Sequence, residues 1–216
     1  MSAVNIDKIK FEHTEVWGFD HSMRGMRNAK NSWSRNDTVT DAKDGFVFVG
    51  DNDMTLATSL CNAGPEHRKN LRMIHVAVDM TLPRYLWSEM DTYHFNTKCS
   101  TSTMHKLLNN KNPISMDQFI YDTEDSQLYS TIFMTLEQMR QEYTDDSTTS
   151  ERRLQLIARA KRLLPEGFLQ KRTFDTNYEE LRNIYRQRKN HRLKLEWGAV
   201  CDWIKTLPYA QNLILS

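Results

Sequence analysis

Arg188 is the side chain whose place in the sequence most needs a chemical explanation. It follows Leu181, Ile184 and Tyr185 at three-and-four spacing, so it extends the inward stripe of a helix that Asn177 caps, with Glu180 as the capping-box acid. A guanidinium aimed inward needs an anion or a bound ligand, because burying it unpaired is prohibitive. At an exposed helix end it would instead complement the C-terminal dipole. A second candidate is the segment from Asn96 to Thr103, dense in Asn, Thr, Ser and Cys. Its short hydroxyls and amides suit a polar small ligand, or else satisfy their own loop backbone. Tyr93 and Phe95 just before it can stack on a ring or pack in the core. Cys99 becomes a nucleophile only if His94 or His105 lowers its pKa; otherwise it is an inert loop thiol. Arg24, Arg27 and Lys30 share one helix face, either solvated or turned to phosphate.

The elements that must hold these residues can be read in order. Lys8 to Phe19 alternates as an early strand, and Asp20 or Ser22 caps a helix over Met23 to Ala29. A loop over 31–44 leads to a short strand at Phe46 to Val49. Asp53 then caps a helix to Asn62, which Gly64 ends. His67 sits in an exposed polar loop. Met73 to Leu82 is the strongest strand, with Ile74, Val76 and Val78 on one side and His75 on the other. Pro83 opens a helix carrying Tyr85, Leu86, Trp87, Met90 and Tyr93. After a loop at 109–113 come two amphipathic helices. In Asp125 to Tyr143, Leu128, Ile132, Leu136 and Met139 face inward; in Glu151 to Leu164, Leu154, Ile157, Ala158 and Leu164 do. Phe168 to Phe174 is extended and carries Lys171 and Arg172.

Composition narrows the class. In 216 residues, 29 basic and 28 acidic side chains leave a formal charge of +1, so nothing demands nucleic acid or an anionic membrane. Five Trp, eight Tyr and nine Phe exclude a mainly disordered chain, and seven Gly with five Pro favour helix over a turn-rich all-β fold. Three scattered cysteines without a CxxC pair indicate neither a zinc site nor a disulfide framework, and no metal site is expected. No apolar run approaches the roughly 20 residues of a membrane span. With no secretory pattern, a cytoplasmic protein is expected. No repeat or flexible linker breaks the chain, so residues 1–216 read as one domain. The expected fold is α+β, a mainly antiparallel sheet flanked by long helices.

The order and spacing of these blocks resemble the flavin-dependent thymidylate synthases. Ala160-Lys161-Arg162-Leu163-Leu164-Pro165 is similar to the family's Ala-Arg-x-x-Leu-Pro helix end. Asn177, Leu181, Asn183 and Arg188 then fall without gaps on its Asn-Ala-Arg-x-Leu-x-Asn-x-x-x-x-Arg pattern, and Glu196-Trp197 falls near its Gln-Trp-Glu. Upstream, Ser32-Trp33 resembles a Ser-Phe pair, Ala63 to His67 the His-Gly-His-Glu-Thr loop, and Pro83 to Leu86 a Ser-Arg-Ala-Leu stretch. That register sets the signature Arg-His-Arg, seven residues, Ser on Thr92-Tyr93-His94 and Ser102, whereas a one-residue slip sets it on Tyr93-His94-Phe95 and Thr103. The family's glutamine before it is Glu89, and the arginine two places after the serine is Met104.

The resemblance implies one-carbon transfer to C5 of a pyrimidine nucleotide (dUMP to dTMP, or a related methyl or hydroxymethyl transfer). FAD would be the cofactor, methylenetetrahydrofolate and NADPH the co-substrates, and a homotetramer the assembly. It implies Arg188 and Ser102 as catalytic residues. Substrate would be held by Arg188, Lys171, Arg172, Ser102, Arg84 and Glu89. Flavin would be held by Thr92, Tyr93, His94, His67, Asn177, Asn183 and Ser32. The alternatives are a flavin-free homologue that binds a nucleotide or a protein partner, and an enzyme using Cys99 as nucleophile.

Overall fold

Strand β4 (His75–Pro83) shows most simply how this sequence folds. Val76, Val78, Met80 and Leu82 alternate along it and are all fully buried, the period-two signature of a strand with a core face. In the computed structural model, which describes residues 4–43, 45–109 and 111–216, β4 lies in a four-stranded sheet of order β1-β4-β6-β5. The partners are β1 (Lys10–Trp17), β6 (Leu169–Asn177) and β5 (Thr97–Ser100). Neighbours this distant in sequence require crossovers, which the helices supply. The sheet is antiparallel and the fold is α+β, as the sequence predicts. A separate two-stranded antiparallel ribbon pairs β2 (Val39–Thr40) with β3 (Val47–Phe48). The stretches read as loops at 31–44 and 109–113 include Asp44 and Asn110, which lie outside the described residues.

The chain divides into two compact units. One comprises the residues up to Lys10, Met80–Thr92 and Cys99–Thr173; the other comprises Phe11–Asp79, Tyr93–Lys98 and Phe174–Ser216.

The first unit contains α3 (Arg84–Met90), α4 (Thr103–Lys106), α5 (Ser126–Thr144) and α6 (Ser150–Leu163). Its core joins Leu136 and Met139 of α5 to Leu156 and Ala160 of α6, with Leu107, Ile114 and Phe119. Thr149 caps α6 by accepting the Arg152 N–H at 3.2 Å. The predicted inward stripe of α6 is corrected in part: Leu164 is buried and Ile157 packs against the core, but Leu154 is 69% exposed and Ala158 is exposed, and the buried line runs through Leu156, Ala160 and Leu164. Both lines have helical spacing. Position 154 stands about 200° from 156, so the roll is set by packing and not by pattern. On α5, Leu128 is likewise exposed. The segment 96–103 is not all loop, since β5 occupies its middle.

The second unit contains α1 (Phe19–Met26), α2 (Asp51–Ala63), α7 (Tyr178–Arg188), α8 (Lys194–Lys205) and α9 (Ala210–Leu213). Here both predicted N-caps move. Helix α1 starts one turn early, after Gly18 in a left-handed conformation (φ 94°), and the Ser22 hydroxyl donates to the buried Asn70 carbonyl at 2.9 Å. Asp53 lies inside the first turn of α2, fully buried. Its Oδ1 accepts from Arg27 Nε at 2.8 Å, and its Oδ2 from Asn36 Nδ2, the Asp37 and Thr38 N–H groups and the Thr38 hydroxyl. The cap is supplied by Asp37 instead, which accepts the Asn52 and Asp53 N–H groups at 2.9 and 3.0 Å. Arg27 is therefore no part of a solvated basic face; Arg24 and Lys30 are exposed. His75 stacks on Trp17 with centroids 5.5 Å apart, the structural role its strand face suggests.

Arg182 is fully buried in the same unit. It donates to the carbonyls of Leu213, Ile214 and Cys61, to Asn62 Oδ1 and to the Ser216 hydroxyl. Burial presses its pKa down from the ordinary arginine value, and these acceptors offset the desolvation.

Candidate functional site

Helix α7 is built as its sequence dictates. The Asn177 side chain accepts the Glu180 N–H at 3.0 Å, Leu181 and Ile184 are buried, and the helix ends at Arg188. Arg188 is held on three sides. Its Nε donates to the Tyr93 hydroxyl at 2.8 Å, and that hydroxyl donates to Gln187 Oε1 at 3.1 Å. The guanidinium lies over the Trp197 ring at 4.5 Å and near the Tyr93 ring at 5.5 Å. Each contact restricts the same flexible side chain, so the cation is preorganised. It opens on a depression of about 520 Å³ lined by Arg188, Lys189, Asn190, His191, Lys194 and Gly198. His191 meets Trp197 edge-on at 5.9 Å, and its Nδ1 accepts the Leu193 N–H at 3.2 Å.

A smaller cleft of about 120 Å³ lies at the other end of α7, lined by Arg68, Arg72, Phe95, Asn177, Glu179, Glu180 and Asn183. Both guanidiniums are matched to Glu179: Arg68 at 3.5 Å and Arg72 in a close pair. Phe95 is 62% exposed, with Arg72 over its ring at 5.7 Å. Asn183 Oδ1 accepts from Gln187 Nε2 at 2.7 Å.

The remaining predicted residues divide between the units. In the second unit, His67 is exposed with Nε2 3.3 Å from Glu66, and His94 is exposed. Ser32 is half-buried, and its hydroxyl oxygen is buried without a partner. In the first unit, Ser102 accepts the His105 N–H at 3.1 Å, so its oxygen caps α4. Arg172 pairs with Asp91 at 3.1 Å and lies over Trp87 at 4.5 Å, and Arg84 pairs with Glu166 at 3.4 Å. The Lys171 carbonyl accepts the Thr101 N–H at 3.0 Å. Thr92 donates its hydroxyl to the Glu89 carbonyl at 2.7 Å. Cys99 is exposed on β5.

Of the predicted site residues, the structure thus joins Arg188 to Tyr93 and Thr92 to Glu89, and brings Asn177 and Asn183 to one cleft. Tyr93 was expected at a flavin; instead it is 6% exposed and holds Arg188. The resemblance marked Trp197 without giving it a role, and sequence reasoning missed Lys189, His191 and Lys194. The signal was present as a run, Arg186 to Lys194, with basic side chains and no acid. Among the described residues, no group of three His, Cys, Asp or Glu is placed to hold a metal ion, and no helix is long and apolar enough to cross a membrane.

No protein-family model matches the chain, and no curated protein does. Solved structures do. The flavin dependent thymidylate synthase ThyX from Helicobacter pylori, complexed with FAD and dUMP, superposes with a TM-score of 0.69 at 18% identity, covering 95% of this chain and 97% of that one. A second structure of ThyX from the same organism, also with FAD and dUMP, gives 0.68 at 16% over 95% and 96%. The UMP/dUMP methylase PolB from Streptomyces cacaoi, bound with 5-Br dUMP, gives 0.59 at 14% over 94% and 91%. This chain has the fold of those proteins over nearly its whole length.

Proposed function

We propose that this chain is a cytoplasmic pyrimidine-nucleotide enzyme, one domain over 1–216, that transfers a one-carbon unit to C5 of the base. The reaction is dUMP to dTMP or a related methyl or hydroxymethyl transfer, with FAD as cofactor and methylenetetrahydrofolate and NADPH as co-substrates. The observation that carries the reading is Arg188, a cation fixed by Tyr93 and Trp197 at the edge of a 520 Å³ depression. That volume lies within the roughly 300–1,000 Å³ of small-molecule sites. The fold shared with proteins solved with FAD and dUMP, or with 5-Br dUMP, supports it.

The chemistry asks little covalent work of side chains. C5 becomes nucleophilic when charge moves onto the ring carbonyls, and a cation already in place stabilises that charge without reorganising. Arg188 is suited to this because its anchors prevent it from following the substrate into solvent. A bound flavin would supply hydride.

The described residues of one chain do not fit a flavin. The cleft at Asn177 and Asn183 is about 120 Å³, below the usual range of ligand sites. Its arginines are matched by Glu179, the Thr92 hydroxyl is directed to Glu89, and Tyr93 is committed to Arg188. The reading therefore includes a homotetramer in which further copies complete the flavin site. The same observation favours a second reading, a flavin-free homologue that keeps the nucleotide site.

An absorption spectrum of the purified protein with and without FAD, alongside dUMP and dCMP titrations, separates them. Flavin bands perturbed by one nucleotide support the enzyme and identify its base. A nucleotide bound with no flavin at any concentration leaves the second reading. Binding of neither ligand overturns both.

A further inference from the structure

We propose that the cleft at the N-terminal end of α7 seats a free α-amino acid, with its ammonium group on Glu180 and its carboxylate on Arg68 and Arg72. This site is separate from the depression beside Arg188, and the inference does not depend on the nucleotide reading. Glu180 carries it. The residue lines the cleft and is only 5% exposed. Its backbone N–H is capped by Asn177, but among the described residues its carboxylate meets no hydrogen-bond donor and no cation. A carboxylate buried this far without a partner is costly, and a cationic donor entering the cleft removes that cost.

The rest of the lining has the reverse character. Arg68 and Arg72 share one carboxylate, that of Glu179, so one positive charge is left over. Each approaches Glu179 through Nε, and the terminal nitrogens of both guanidiniums have no acceptor among the described residues. The amide oxygens of Asn177 and Asn183 are occupied by the Glu180 N–H and by Gln187, so each NH₂ group is left to donate. Clustered charges are ordinarily a solvated face, but here the Arg68 and Glu179 side chains are only 16% and 13% exposed. The cleft thus holds one uncompensated negative charge and one uncompensated positive charge. A simple anion would leave Glu180 unpaired, and a simple cation would leave the surplus guanidinium. A zwitterion with both groups on one carbon compensates both, through charge-assisted hydrogen bonds. Volume agrees, since about 120 Å³ lies below the roughly 300 Å³ at which drug-sized sites begin. The exposed Phe95 ring forms an apolar wall for the ligand's side chain; its carbonyl accepts from the Thr176 hydroxyl at 3.0 Å, which anchors it.

The test titrates L-alanine into the full chain by calorimetry, beside ethylamine and propionate, which carry its two charged groups separately. L-Alanine should bind saturably and at least about tenfold more tightly than either, the worth of one charge-assisted hydrogen bond. Glu180→Gln keeps the shape and the backbone cap but removes the negative charge, and Arg72→Gln removes one guanidinium. Each should weaken L-alanine about tenfold, Glu180→Gln leaving propionate unchanged and Arg72→Gln leaving ethylamine unchanged. No binding of L-alanine, glycine or L-phenylalanine would overturn the proposal, as would binding that both variants leave intact. Propionate held as tightly as L-alanine would make the cleft an anion site, and ethylamine so held a cation site; either result refutes the zwitterion. FAD binding that Glu180→Gln abolishes, with no amino acid bound, would assign the cleft to the flavin and refute it too. Circular dichroism verifies that each variant is folded, and the comparison of L-alanine with its two halves needs no variant.

Discussion

Replacing Asp53 by Asn changes one atom in the most densely bonded carboxylate of the second unit, and its cost follows from the geometry. Five donors converge on the two oxygens of Asp53, which is fully buried: Arg27 on Oδ1, and Asn36, the Asp37 and Thr38 N–H groups and the Thr38 hydroxyl on Oδ2. An amide has one acceptor oxygen. Whichever way it flips, an NH₂ group faces donors, and the buried Arg27 guanidinium loses its counter-charge. Breaking a buried pair by removing one partner costs about 3–5 kcal/mol. For a chain of this length that is a fall in Tm of about 6–20 °C. Urea denaturation followed by tryptophan fluorescence measures it, with the Arg27→Met, Asp53→Asn double variant beside it, whose amide oxygen can still accept from Asn36, Asp37 and Thr38. The double variant removes both charges and should recover part of the loss. A single-variant loss under about 1 kcal/mol would refute the reasoning, because it would mean that water reaches the site and screens the pair.

Further outcomes follow from the same structure. Tyr93→Phe removes the hydroxyl that accepts from Arg188 and donates to Gln187, and should weaken dUMP binding about tenfold while leaving the Trp197 platform in place; unchanged affinity would show that Trp197 alone positions Arg188. Glu137 accepts two hydrogen bonds from Arg140 and one from the Ile114 N–H, which hold its pKa at about 2. Its folded value lies below the unfolded one, so its contribution is fully present above about pH 5 and is lost as pH falls toward 2. Denaturation midpoints of wild type and Glu137→Gln should converge over that interval, and parallel curves would contradict the assignment. Cys99→Ser should leave nucleotide binding and turnover unchanged, since Cys99 lies exposed on β5; loss of turnover with binding intact would restore the nucleophile reading.

The fold was legible where the pattern had a single solution. Strand β4 alternates without interruption, Asn177 and Glu180 fix the start of α7, and Pro165 follows the end of α6. Caps and helix roll were less legible. Asp53 looks like an N-cap in sequence, but Asp37, sixteen residues earlier, reaches the same N–H groups, and only folding brings it there. The phase of α6 was ambiguous because Leu154 and Leu156 each begin an acceptable stripe. At the candidate site, Arg188 could be found from periodicity, whereas its anchors could not. Tyr93 lies 95 positions away, and the cation–aromatic contact to Trp197 leaves no sequence signature of its own. Lys189 and Lys194 were visible as charge, but their concave arrangement was not.

The bonds from Arg182 to Leu213, Ile214 and Ser216 have a consequence for how residues 213–216 open. Releasing this segment also exposes the acceptors of a buried guanidinium and leaves it, among the described residues, the bonds to Cys61 and Asn62. Residues 213–216 should therefore detach as a block, at a free energy near that of opening the end of α2, and their amide hydrogens should exchange together and not one by one.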